Sequence, residues 1–184
     1  MLLKRTEEPY FPIGVAAMDN SYYIREATLF DIDMLVELRK ILLNQGSGHY
    51  VAHTLKEKEA WQLSYRRWII HTLDQLPSDI KVIVACELQL GVVGCAIGII
   101  DKRVPIPSCL NGRIGWIQTV AVLPEHRGQG IAQKLMHFMF SWFKDQDTYK
   151  VTLQTTPMAE SLYYHLGFKD SGEPLLVKSL SDVF

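Results

Sequence analysis

"VLPEHRGQGIAQKL", Val122 to Leu135, places a proline, a charged pair and two glycines between a β-branched strand end and the apolar spacing of a helix. Pro124 ends the strand, and a helix that restarts near Gly130 leaves its first backbone N–H groups without intrahelical partners. Those donors and the positive end of the helix dipole make an anion site, and glycines let an anion approach the backbone closely. Arg127 adds planar donors suited to phosphate oxygens. The guest expected at this junction is therefore a phosphate or a pyrophosphate. Two rival phosphate loops fail on spacing. A dinucleotide fingerprint needs a third glycine, but Ala132 and Gln133 follow Gly128 and Gly130, and no first strand precedes it at the chain start; a Walker A loop needs a Gly-Lys-Ser/Thr ending.

Working outward, the strand entering the junction is "IGWIQTVAVL" (Ile114 to Leu123). Ahead of it lies a proline-rich loop, Asp101 to Arg113, and ahead of that two β runs, Ile80 to Leu88 and Val92 to Ile100. A short link containing Gly91 joins those runs as a hairpin. Further upstream, Ser21 to Thr28 is strand-like. Thr28 with Asp31, and Thr54 with Glu57, form two capping boxes, each followed by a helical period. The second of these helices sets Trp61, Tyr65, Trp68, Ile69 and Thr72 on one face, which reads as core. Beyond the junction, Ile131, Leu135, Phe138, Met139 and Trp142 line one face of a third helix. Tyr149 to Thr155 follows as a strand, Pro157 to Phe168 as a short helix stopped by Gly167, and Pro174 to Leu180 as a last strand. The order predicts an α/β fold, a mixed central β-sheet flanked by helices. Residues 1–20 read as an N-terminal arm and 21–184 as one domain.

Composition limits the function classes. The 184 residues are 48% apolar and 21% charged, with a net charge of −1, so no global basic field attracts nucleic acid or an anionic membrane and any anion site is local. Cys86, Cys95 and Cys109 are odd in number and lack C-x-x-C spacing, as expected of reduced, buried thiols in a cytoplasmic protein. The longest apolar run, Leu90 to Ile100, is too short to span a bilayer, and Glu7, Glu8 and Pro9 stand where a signal peptide needs an apolar core. His49 and His53 have i, i+4 spacing, but Tyr50 occupies the place of the zinc-protease glutamate, in a glycine-rich loop, and no metal site is expected. No G-x-S-x-G elbow is present.

"VAVLPEHRGQGIAQKLM" resembles the acetyl-CoA signature Q/R-x-x-G-x-G/A of the GCN5-related N-acetyltransferase (GNAT) superfamily, matched by Arg127, Gly130 and Ala132. "AESLYYHLGF" (Ala159 to Phe168) resembles that family's A-x-x-L-Y-x-x-x-G-F ending, and Ile24, Arg25, Ala27, Thr28 and Asp31 its opening strand and helix. The resemblance covers roughly residues 21–180. It implies strands splayed around the fourth one, with the pantetheine arm of acetyl-CoA bonded to the backbone of Val120 and Val122. The pyrophosphate would sit on the N–H groups of Arg127, Gly128, Gln129, Gly130, Ile131 and Ala132. Thr156 stands where many members carry an asparagine that contacts the cofactor. Tyr163 takes the position of the frequent general acid, while Tyr164 is the more ordinary ring to pack on the sheet. The fourth strand offers Gln118 and Thr119 where members often carry a base, so the base is left open, with Asp101 and Glu87 as acids from elsewhere. The loops Asn44 to His53 and Asp101 to Arg113, with His49, Tyr50, Lys102 and Arg103, would face the acceptor. The implied partners are acetyl-CoA and an amine acceptor, a small metabolite or antibiotic rather than a protein terminus; a homodimer is compatible with this reading.

Overall fold

The structure, a computed structural model, describes residues 22–45 and 51–178. The arm expected over residues 1–20, and His49 and Tyr50, lie outside them. Five strands form one sheet in chain order: β1 (Tyr22–Glu26), β2 (Ile80–Glu87), β3 (Gly91–Lys102), β4 (Arg113–Val122) and β5 (Lys150–Leu153). The first four pair antiparallel, and β5 joins β4 in parallel. β2 and β3 read as nearly unbroken apolar runs because both of their faces are covered. Ile83 and Ala85 turn to a core shared with α3 (Ile131–Asp145), whereas Val82, Val84 and Cys86 turn to a second core shared with α1 (Ile32–Gln45) and α2 (Leu55–Gln75).

Both capping boxes form. Thr54 accepts from the Glu57 N–H at 3.2 Å and starts α2. Asp31 accepts from the Thr28 N–H at 2.7 Å ahead of α1, and its two oxygens take the Arg25 guanidinium as a fork at 2.7 and 2.8 Å. α3 buries the expected Ile131, Leu135, Met139 and Trp142, and also Met136 and Phe143. Two glycines let it lie close to the sheet. A Cβ on Gly115 would stand 2.7 Å from the Phe143 ring, and one on Gly98 would stand 3.0 Å from Trp142.

The site is made by a parting of strands. β5 pairs with β4 only from Ile114 to Ile117. At that point the β3–β4 register slips, with Ile97 opposite Thr119 but Gly98 opposite Ile117, so Gln118 is a bulged residue that bends the strand. Beyond the bulge β4 runs on to Val122 beside β3 alone.

Two expectations are corrected. The last helix, α4, is Glu160–His165, because Pro157 to Ala159 form a turn and Gly167 takes φ 89°. The strand expected from Pro174 to Leu180 does not form over 174–178, where Leu175, Leu176 and Val177 are exposed and no ladder is made; an apolar run lacks a strand until a neighbour supplies hydrogen bonds, and Pro174 has no N–H to offer. Ser179 and Leu180 lie outside the described residues.

Candidate active site

The opening beside β4 holds two cavities, of about 500 Å³ and about 350 Å³, that share Leu42, Val120, Thr156, Ala159 and Tyr163 as a common wall. The larger runs to the N-terminus of α3. Gly128 and Gly130 there have φ 73° and 74°, left-handed values that favour glycine, and a Cβ at either would meet nothing within 4 Å. The first bond of α3 runs from the Lys134 N–H to the Gly130 carbonyl at 3.1 Å, so the N–H groups of Ile131, Ala132 and Gln133 have no intrahelical acceptor. On β4, the Leu123 N–H goes to the Val93 carbonyl at 2.9 Å. Alternation along the strand therefore turns the backbone groups of Val120 and Val122 away from β3, toward the side that β5 has left.

Of the residues singled out in the sequence, Val120, Val122, Arg127, Gly128, Gly130, Ile131, Ala132 and Thr156 line the larger cavity. Gln129 does not. Its side chain is turned to β1, where its Oε1 accepts from the Tyr22 hydroxyl at 2.7 Å. Having given its single proton to Gln129, that hydroxyl accepts from His126 Nδ1 at 3.1 Å. This brace between β1 and the glycine loop spans more than a hundred residues, and nothing local to Tyr22 announces it. Arg127 is also less free than a solvated charge, since its Nε donates to the Val122 carbonyl at 3.1 Å.

Tyr163 lies on the wall between the cavities, 8% exposed, with its ring edge-on to Phe168 at 5.7 Å. Burial pushes its phenol up to about 12, which keeps it protonated through neutral pH. The expectation for Tyr164 is reversed: it is the exposed ring of the pair, at 46%, and its hydroxyl donates to Asp170 at 2.9 Å. The inner row of the last turns is Ala159, Leu162, Tyr163 and Leu166, at i, i+3, i+4 and i+7, and Tyr164 falls outside it.

Neither acid suggested as a base reaches the opening. Glu87 sits opposite Tyr22 on β1, and Asp101 pairs with Arg103 at 2.8 Å. Among the described residues no carboxylate lines either cavity, and Lys102 and Arg103 line neither. The smaller cavity instead contains Arg39 of α1, which the sequence reading missed. Arg39 donates to the Thr119 hydroxyl and, at 3.4 Å, to the Gln118 carbonyl, and its guanidinium lies 5.7 Å from the centre of the Tyr65 ring. The available signal was an arginine between the buried Leu38 and the half-buried Leu42. Trp61, Tyr65 and Trp68 are half-buried and form the platform beneath it. Cys86, Cys95 and Cys109 are free and buried. Among the described residues no group of His, Cys, Asp and Glu is placed to hold a metal ion, and no helix is long and apolar enough to cross a membrane.

Compared with known proteins, residues 78–170 match the acetyltransferase (GNAT) domain family. N-acetyltransferase 8B of Mus musculus is 25% identical over 165 residues, which cover 88% of this chain and 64% of that protein, so the chain spans less than two thirds of that relative's length. Glucosamine 6-phosphate N-acetyltransferase of Candida albicans is 24% identical over 162 residues, covering 88% and 98%. Among solved structures, a predicted acetyltransferase of Clostridium acetobutylicum with acetyl-CoA superposes at a TM-score of 0.70 and 23% identity, over 85% of this chain and 96% of that one. A GCN5-related N-acetyltransferase of Ralstonia eutropha does so at 0.72 and 21%, over 85% and 98%. Both share the mixed sheet with flanking helices described above.

Proposed function

This chain belongs to the GNAT acetyltransferase family, and on that premise we propose that it is an acetyl-CoA-dependent N-acetyltransferase acting on the primary amine of a small molecule. The observation that carries the reading is the common wall at Val120 and Tyr163, where a cavity fit for the cofactor meets a second cavity fit for an acceptor. The unpaired N–H groups at the start of α3 suit the pyrophosphate, and the outward backbone of Val120 and Val122 suits the amides of the pantetheine arm. Thr156, on the same wall, offers a hydroxyl to it. Attack by the neutral amine nitrogen on the thioester carbonyl forms the new C–N bond; as the C–S bond breaks, Tyr163 gives its proton to the departing sulfur, and the surplus proton on the new amide nitrogen passes through water to the Tyr163 oxygen and restores the phenol. Since no carboxylate among the described residues lines either wall, the first proton of the incoming ammonium leaves to water before attack. Candida albicans supplies a relative named for glucosamine 6-phosphate, which agrees with a small-molecule acceptor here. The three buried free thiols agree with a reducing, cytoplasmic compartment.

That no carboxylate among the described residues lines either cavity favours one second reading, an acyl-CoA-binding protein without turnover. A single experiment separates the two. Acetyl-CoA affinity is measured by calorimetry, and release of the free CoA thiol is then followed with a panel of small amines. Saturable thiol release that requires an amine supports the enzyme; tight binding with no amine-dependent release supports the second reading; no heat with millimolar acetyl-CoA removes both.

A further inference from the structure

Arg39 is the one charged side chain lining the smaller cavity among the described residues. Its neighbours fix it without using it up. Nη1 serves Thr119 and Gln118, and no other hydrogen bond ties the guanidinium to a described residue, although it has five N–H donors. The guanidinium carbon lies over Tyr65, 5.7 Å from the centre of a ring that stacks on Trp68 with centroids 6.1 Å apart and planes 20° from parallel. A guanidinium beside an aromatic ring is a weakly hydrated cation whose planar fork of donors matches the geometry of a carboxylate or phosphate. The rest of the polar wall is neutral, with Gln154, Thr155 and Thr156 offering amide and hydroxyl groups. Among the described residues no carboxylate lines this cavity to balance the half-buried cation, and an acceptor whose only charge is an ammonium would meet repulsion there.

We infer that the acceptor amine carries a carboxylate or a phosphate, and that Arg39 holds this group while the amine reaches the shared wall at Val120 and Tyr163. The inference rests on the N-acetyltransferase reading, because it takes the smaller cavity as the acceptor's. The two sources of negative charge share a geometry that the fork of a guanidinium accepts through two parallel hydrogen bonds.

Binding to the protein saturated with CoA, which has no acetyl group to transfer, tests this without depending on turnover. Two matched pairs are titrated by calorimetry: glucosamine 6-phosphate against glucosamine, and β-alanine against propylamine. In at least one pair the anionic member should bind the wild type about 10- to 100-fold more tightly, the range for hydrogen bonds to a charged group; the pair that discriminates tells phosphate from carboxylate. Arg39→Gln should remove most of that preference. Arg39→Lys, which keeps the charge and loses the fork, should restore only part of it. Equal binding of charged and neutral members in both pairs, no binding of any of the four, or an undiminished preference in both variants overturns the proposal. CoA affinity, measured first on every protein, keeps the failures apart. A wild type that does not bind CoA removes the acetyltransferase reading itself, whereas intact CoA binding with no role for Arg39 removes only the anion anchor. If Arg39→Gln loses CoA binding through misfolding, Arg39→Lys carries the comparison.

Discussion

Tyr163 and Tyr164 are neighbours in the chain and opposites in environment: one is buried on the wall of the site, the other exposed and bonded to Asp170. Tyr163→Phe keeps the ring and its contact with Phe168 while removing the one proton it has to give. General acid catalysis contributes roughly 10²- to 10⁴-fold, so kcat should fall by that order with the acceptor KM little changed, the pattern of an interaction made in the transition state. Tyr164→Phe should leave kcat within a few-fold. A large loss in the second variant alone would assign the role to the wrong ring. The pH profile gives an independent check. An ordinary phenol is half ionised near pH 10, but Tyr163, held up at about 12 by burial, keeps its acid form there. The kcat profile should therefore show no decline centred near pH 10 that Tyr163→Phe abolishes.

At the scale of elements, α3 lies closest to the sheet where Phe143 covers Gly115 of β4. Gly115→Ala would put a methyl 2.7 Å from a Phe143 ring that is fully buried and has nowhere to go. Overpacking of this kind costs about 1–3 kcal/mol, and for a domain of this size each kcal/mol lowers Tm by about 2–4 °C. A thermal scan showing no change would mean that α3 can lift from the sheet. The start of α1 carries a pH dependence. Burial works to raise the Asp31 pKa, but the Arg25 fork and the Thr28 bonds outweigh it and leave the carboxyl below its usual value. A carboxylate that gives up its proton more readily when folded stabilises fully above the unfolded range and loses that contribution as pH falls through the folded value. Denaturant titrations at pH 6 and pH 3 should therefore show a larger loss in the wild type than in Asp31→Asn. These elements were legible because their signals are local: a capping box lies within four residues, and the α3 stripe within one helix. Tyr164 and the segment 174–178 were misread because periodicity says which residues share a face but not which face the sheet will cover. Arg39 was missed for a related reason. Its meaning lies in Tyr65 and in the bulge at Gln118, both supplied by other elements.

For the molecule as a whole, β4 belongs to both cores. Val122 packs with the α3 core and Ala121 with the α1–α2 core, and past the bulge β3 is its one ladder partner among the described residues. The turn from strand to helix at Pro124 to Gly130 was readable from fourteen residues, but the cavity beside it was not, because it is formed where β5 ends and by walls from α1 and α4. A cofactor in that opening would lie along β4 where β5 has ended and bridge α1 and α4, which wall the cavity. Acetyl-CoA at about 100 times its Kd should stabilise the native state by about 2.7 kcal/mol, raising Tm by roughly 5–10 °C. Global stabilisation alone slows every amide that exchanges by complete unfolding to the same degree, so hydrogen exchange distinguishes a ligand that merely adds stability from one bound here. The amides of Val120, Val122, Ile131, Ala132 and Gln133 should slow beyond the common factor, since each has a backbone N–H free to meet the ligand, whereas those of β2, already paired on both sides, should follow the common factor alone. Extra protection confined to α2 and β1 would place the cofactor on the other side of the sheet and remove the glycine junction from the site.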